Sequence, residues 1–182
     1  MGACMAVDPN KVQFLGAATK GVIDGLLLAS MTLSTFDRRG EIEALDPAQY
    51  HPLSLYLDLV EFLHKKFGPV MMRKLGQHVG QAVVNESLPA TIPSVTAALL
   101  AIDAAHEHFC KPKVGSFAIA ESQHGFVKIH YDAPYFCILQ EGLFNAIANR
   151  FGGRGVRVEH PLCRLEGPQS HCIFNIRWMD GP

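Results

Sequence analysis

Apolar residues recur along this chain with two different periods, and the change falls a little past its midpoint. In the first half they return every three to four residues, the spacing that lines one face of a helix. Residues 12–33 are mostly apolar and are interrupted by Gly16, Gly21 and Gly25, which predicts a helix with close neighbours. Residues 36–52 are polar, carry two prolines and read as a loop. Tyr56, Leu59, Val60, Leu63 and Phe67 form a helical stripe closed by Gly68-Pro69. Met71, Leu75, Val79 and Ala82 predict a second helix over 70–84, in which Gly76 and Gly80 lie one turn apart and suit tight helix packing. After a loop over 85–94, Val95, Leu99, Ile102, His106 and Phe109 mark a helix from about 94 to 109.

From residue 116 the period drops to two. "SFAIAES" and "FVKIHY" read as a hairpin over 116–131. Asp132 can cap the next segment and Pro134 suits a first helical turn. Phe136, Leu139, Leu143, Ile147 and Phe151 then make 135–151 a clear amphipathic helix, ended by Gly152-Gly153. "GVRVEH" and "HCIFNIRW" are strands separated by "CRLEGPQS". Helices followed by ββαββ predict an α+β fold, a helical N-terminal half packed with a C-terminal antiparallel sheet unit. The 182 residues suit one domain, with 1–11 a flexible N-terminus.

Charge narrows the function classes. Sixteen basic and 17 acidic residues give a net charge of −1. "HKKF" and "RFGGRGVR" are the densest basic stretches, so nucleic-acid binding is not expected. No apolar run is long enough to span a bilayer, and the start "MGACMAVDPN" lacks a secretory pattern, which predicts a cytoplasmic protein with no membrane partner. Five cysteines in such a chain favour free thiols or metal ligands over a disulfide framework. No nucleophile–base pair, phosphate-binding glycine loop or paired-carboxylate motif is present, so enzymatic activity is not expected.

The C-terminal hairpin carries the most chemistry. With a four-residue loop over Glu166–Gln169, Cys163 faces Cys172 on one side of the ladder. Opposed Cβ atoms in such a pair lie about 4.5–5.5 Å apart, which suits two thiolates on one zinc and, with little adjustment, a disulfide. His160 precedes Cys163 by three residues, and Cys137 opens the helix that feeds these strands. The set is Cys-x22-His-x2-Cys-x8-Cys. A metal site, a disulfide and buried core thiols are all compatible with that spacing.

The stretch "YFCILQEGLFNAIANRFGGRGVRVEHPLCRLEGPQSHCIFNI" resembles the C-terminal half of the four-vinyl-reductase type small-molecule-binding domain. The resemblance rests on Cys137, Gly142, Gly152-Gly153, Val156-Val158-Glu159, Cys163, Gly167 and Cys172-Ile173-Phe174. It is good over about 115–178 and looser over 12–110, where the chain also resembles a group of bacterial paralogues. The wider superfamily includes haem nitric-oxide-binding domains, vesicle-tethering subunits and aromatic-sensing activator domains. In the aromatic sensors the matching positions imply a structural zinc held by three Cys and a carboxylate. Carried over, the ligands are Cys137, Cys163 and Cys172, with His160 at the carboxylate position and Glu159 beside it as a substitute. The interval between the last two Cys is one residue longer than in the usual pattern.

The resemblance implies a homodimeric stand-alone sensor or regulatory domain that binds a small, largely apolar or aromatic molecule between sheet and helices. His106, on an apolar helical stripe, is the candidate polar group of such a pocket, with Phe117, Phe136 and Phe144 as further lining residues. His64 and His78 also lie beside helical stripes. Two other classes stay open. One is a haem-based gas sensor using one of these histidines, against which the Y-x-S-x-R propionate clamp is absent. The other is a scaffold subunit with a filled core and no ligand.

Overall fold

The computed structural model describes residues 7–164, 166 and 170–180. The C-terminal half follows the two-residue period closely. Strands β4 (Phe117–Gln123), β5 (Phe126–Tyr131), β6 (Gly153–Leu162) and β7 (Cys172–Asp180) form an antiparallel sheet in the order β4-β5-β7-β6. Along β7 the buried residues are Cys172, Phe174, Ile176 and Trp178, and along β5 they include Val127, Ile129 and Tyr131. That alternation selects the face that receives helix α7 (Cys137–Arg150), where Leu139, Phe144 and Ile147 are fully buried. The mixed helix and antiparallel-sheet fold is the α+β class that the pattern predicts.

The N-terminal half departs from the sequence reading. The apolar segment over 12–33 is not one helix. It forms strand β1 (Gln13–Leu15), helix α1 (Gly16–Asp24), the short α2 (Ala29–Thr32) and a 3-10 turn over Leu33–Thr35. The polar stretch 36–52 holds helix α3 (Arg39–Glu43) and strand β2 (Tyr50–Pro52). β1 pairs with β2 and with β3 (Cys110–Lys111), making a second small sheet, β2-β1-β3. These strands are two or three residues long, too short for alternation to register, and they form because distant segments meet. Residues 94–109 likewise divide into α5 (Val95–Leu100) and α6 (Ile102–Phe109).

Two helices position everything that follows. Helix α4 (Leu53–Ser87) is broken at Gly68, whose φ of +70° suits glycine, and Pro69 opens the second limb. The two limbs are the two stripes of the sequence, with the second extended to Ser87. This second limb crosses α7 at backbone contact. A Cβ on Gly76 would lie 2.0 Å from the Leu139 carbonyl oxygen, and one on Gly142 would lie 2.0 Å from that of Arg73. The crossing therefore requires glycine on both helices, and it brings Arg73 beside the first turns of α7.

Candidate functional site

Three chain segments converge at the start of α7. Cys137 is its first residue, following Phe136 in an extended conformation. Cys172 opens β7 on the buried face, one alternation from Phe174. His160 lies near the end of β6, inside a register shift between Glu159 and Leu162, where the ladder resumes with Leu162 opposite Ile173. Cys163 follows as the next residue. Continued by one step, that register sets Cys163 against Cys172, as the hairpin reading requires. Leu165 and the loop residues 167–169 lie outside the described residues.

One potential ligand atom from each of Cys137, His160, Cys163 and Cys172 falls within 4.8 Å of all the others. Cys137 and Cys172 are buried, and their sulfurs are 3.1 Å apart; His160 and Cys163 are half-buried. None of the four described cysteines is in a disulfide. Two thiolates on a tetrahedral zinc sit roughly 3.8 Å apart, so a slight opening of the pair accommodates the ion. Glu159, the substitute fourth ligand, instead pairs with Arg157 at 3.0 Å and is not part of the cluster.

The surroundings favour ionised sulfur. The Cys172 thiol is drawn down to about 4, first by its hydrogen bond with Cys137, then by His160 and by the Arg164 backbone N–H, which donates to its Sγ at 3.4 Å. The same sulfur–sulfur hydrogen bond, with burial, pushes Cys137 up. Burial acts to lower the His160 pKa, but the Cys172 sulfur and the Glu141 carboxylate together outweigh it and raise it to about 9. Without metal, the corner is thus a Cys172 thiolate flanked by the His160 imidazolium and the protonated Cys137 thiol. Arg164 is buried too, and its guanidinium donates to the carbonyls of Asp132 and Ala133 at 2.6 and 2.5 Å and lies over the Tyr131 ring. It sets a fixed cation near sulfurs that carry net negative charge.

Glu141 and Arg164 were not among the residues the sequence singled out. Glu141 had a signal: it lies four residues after Cys137, on the same helix face. Arg164 had none beyond its place next to Cys163.

The second feature is internal. A cavity of about 40 Å³ lies between α1, α4, α6, β4 and α7, lined in part by Phe14, Tyr56, His106, Phe117, Tyr135 and Gln140. His106 and Phe117 line it, whereas Phe136 and Phe144 do not. Phe136 is half-buried against the His64 ring at 5.5 Å, and Phe144 is fully buried between Phe117 and Phe174. His78 is exposed on the second limb of α4. His106 Nε2 lies 2.8 Å from the Tyr135 hydroxyl, and its Nδ1 is buried without a hydrogen-bond partner. Burial pulls the His106 pKa down to about 4 and raises that of Tyr135 well above the ordinary phenol, so both groups are neutral at pH 7. Gln140, also buried, leaves its Oε1 unpartnered.

No protein-family model matches the chain, and no curated protein does. Solved structures do. An H-NOX protein from S. oneidensis, solved in the Fe(II) ligation state, aligns with a TM-score of 0.68 at 14% identity, covering 92% of this chain and 97% of its own. An H-NOX protein from K. algicida, Fe(II) and unliganded, gives 0.66 at 14% identity over 91% and 97%. An oxygen-binding H-NOX domain related to soluble guanylate cyclases, solved as its oxygen complex, gives 0.59 at 12% identity over 91% and 95%. Among the described residues, no helix is long and apolar enough to cross a membrane.

These likenesses make haem the cofactor that the fold implies, and His106 is the buried imidazole available to meet it. The interior as packed does not fit the group. A cavity of about 40 Å³ has room for a water or two, against several hundred Å³ for a cofactor site. Aromatic rings fill the surrounding space, and no lining residue is a cation that could pair with a propionate. What the alignment over nearly the whole chain establishes is architecture: this protein has the fold of the H-NOX domains.

Proposed function

We propose that this protein is a sensor or regulatory domain on the H-NOX fold, with its signal molecule taken up at His106 and zinc tying down its C-terminal corner. The observation that carries the reading is the pair of unpartnered polar atoms in the interior. With Tyr135 donating to Nε2, the neutral His106 ring carries its proton on Nδ1, a donor, while Gln140 Oε1 is an acceptor. A hydroxyl both donates and accepts, so a ligand carrying one has the chemistry that each of these atoms lacks. The absence of any lining cation disfavours an anion, so the ligand class is a small neutral molecule with an apolar body and a hydroxyl. Tyr135 already presents the chain's own phenol to His106. Entry of a ligand would require that side chain to yield, giving two states for a signal to bias.

The corner formed by Cys137, His160, Cys163 and Cys172 supports a structural zinc of the kind implied by the four-vinyl-reductase resemblance, with imidazole in place of carboxylate. A homodimer belongs to the same reading, and sedimentation velocity checks it. Native mass spectrometry of the purified full chain is the main test. It should show about one zinc per chain and a mass increment on addition of phenol but not of benzoate. A metal-free protein indifferent to both would defeat the reading.

Haem-based sensing is the second reading, and it is the one that the solved structures support most directly. The fold is shared with iron-ligated H-NOX proteins over nearly the full chain, and His106 is a buried imidazole with one nitrogen unpartnered. It requires the aromatic interior to open well beyond its present volume. Hemin titration under reducing conditions decides it. A saturable Soret band lost in His106→Ala would establish haem binding and displace the small-ligand reading.

A further inference from the structure

A metal takes only one of the two nitrogens of His160, and the structure contains a device that selects which. The imidazole stacks on Phe174 at 4.3 Å and 16°, which fixes the plane of the ring. Stacking does not fix its flip. A half-turn about the Cβ–Cγ bond keeps the ring over Phe174 while exchanging Nδ1 with a carbon. Glu141 removes that ambiguity, because its Oε1 lies 3.7 Å from Nδ1 and a flipped ring would put a carbon against the carboxylate. With the Nδ1 proton directed at Glu141, Nε2 is the nitrogen left to meet a metal once its own proton is displaced; it is buried, and the Cys172 sulfur is the group that acts on the ring from the other side.

Glu141 is itself held. Its other oxygen accepts from Arg73 Nε at 2.5 Å, across the crossing of α4 and α7 that Gly76 and Gly142 permit. Four residues after Cys137, it projects from the same face of α7 as that ligand. On the reading of Cys137, His160, Cys163 and Cys172 as a zinc site, we infer that Glu141 is the positioning residue of the centre. It orients His160 so that Nε2 meets the metal and makes the imidazole a better donor, and Arg73 anchors it from the neighbouring helix. Carboxylates in this outer position govern both the tautomer and the basicity of ligating histidines. The inference extends the metal centre beyond the hairpin to α4, an element that contributes no ligand.

The experiment compares the full-length wild type with Glu141→Ala, Glu141→Gln and Arg73→Ala. Zinc affinity is read by competition with a chromophoric chelator, the coordination by absorption after cobalt substitution, and the fold by urea unfolding of the metal-free forms. Glu141→Ala should bind zinc about 10–100-fold more weakly. Glu141→Gln should fall between, since its side-chain carbonyl keeps a dipole towards Nδ1–H without the carboxylate charge, and Arg73→Ala should lose less than Glu141→Ala. The thiolate-to-cobalt bands should persist in all three, and the metal-free midpoints should match that of the wild type. Equal zinc affinity in wild type and Glu141→Ala would overturn the inference and leave the metal site standing. So would a loss of affinity matched by an equal loss of stability in the metal-free form, which would make Glu141 a packing residue. A wild type that takes up no zinc would overturn the site reading and this inference together.

Discussion

His160 and His106 are both largely buried imidazoles held against aromatic rings, and their surroundings drive them in opposite directions. Around His160 stand a carboxylate and a cluster of sulfurs, and its pKa rises to about 9 despite burial. Around His106 stand Phe117, Tyr135 and the apolar cavity wall, and burial lowers its pKa to about 4. Lys113 lowers it further, while Asp103, Glu107 and Asp132 pull the other way. One histidine holds its proton between a carboxylate and a thiolate; the other is kept neutral and can donate or accept without charge. Burial alone therefore says little about a histidine's task. The groups at its two nitrogens decide it.

The largest expected effect comes from breaking the first environment. Removing zinc with a chelator, or replacing Cys163 by Ser, should loosen the start of α7 together with the end of β6 and the start of β7, because the four residues lie in or next to these segments. A ligand present at a thousandfold over its dissociation constant stabilises the folded state by about 4 kcal/mol. For a chain of this size that corresponds to a fall in Tm of roughly 10 °C. Calorimetry with and without chelator checks it, alongside elemental analysis. A Cys163→Ser protein with undiminished zinc content and an unchanged Tm would show that Cys163 contributes nothing to the corner.

The second environment should show itself in acid. His106 titrates near 4 in the folded protein and near 6.5 in the unfolded chain. Between those values the unfolded chain binds a proton that the folded protein refuses, so stability is lost as pH falls from about 7 towards 4. Above pH 7 this group contributes no pH dependence. Across the whole window the loss amounts to about 3 kcal/mol. Urea unfolding of wild type and His106→Gln at matched pH isolates it, since the other titrating groups cancel in the difference. If the two proteins lose stability in parallel, His106 is not held neutral by the interior.

How readily the two regions were read from the sequence follows from how each is built. The cluster of Cys137, His160, Cys163 and Cys172 was legible in part because Cys137 and Cys172 sit in strongly periodic elements. The alternation along β7 fixed the face of Cys172, and the stripe of α7 placed Cys137 in its first turn. That His160 and not Glu159 joins the cluster was not legible, because it depends on a register shift in β6 that alternation does not encode. His106 and Phe117 were placed on the interior face by periodicity alone. Tyr135 and Gln140 escaped notice: one lies just ahead of α7, and the other is a buried amide that looks like any polar helix residue. The small sheet β2-β1-β3, which brings Phe14 under Tyr135, was hidden for a related reason. Strands of two or three residues are specified by the contacts that assemble them and leave no local pattern.

The smallest expected effect separates the two regions most sharply. Tyr135→Phe removes one oxygen and leaves His106 Nε2, like Nδ1, buried without a partner. Stranding such a group costs about 1–3 kcal/mol, and nothing at the metal corner should change. Tyr131 donates to the Tyr135 backbone carbonyl, a contact the substitution keeps, so the chain path into α7 is preserved. Zinc content and affinity should therefore match the wild type. The interior, by contrast, has lost the hydroxyl that competes with an incoming one. Phenol should raise the Tm of Tyr135→Phe more than that of the wild type, since in the variant it supplies the missing partner to His106 and displaces nothing. A phenol effect equal in both proteins would mean that the hydroxyl of Tyr135 does not occupy the ligand's place. A fall in zinc affinity would show that the two histidine environments are coupled through the turn between β5 and α7.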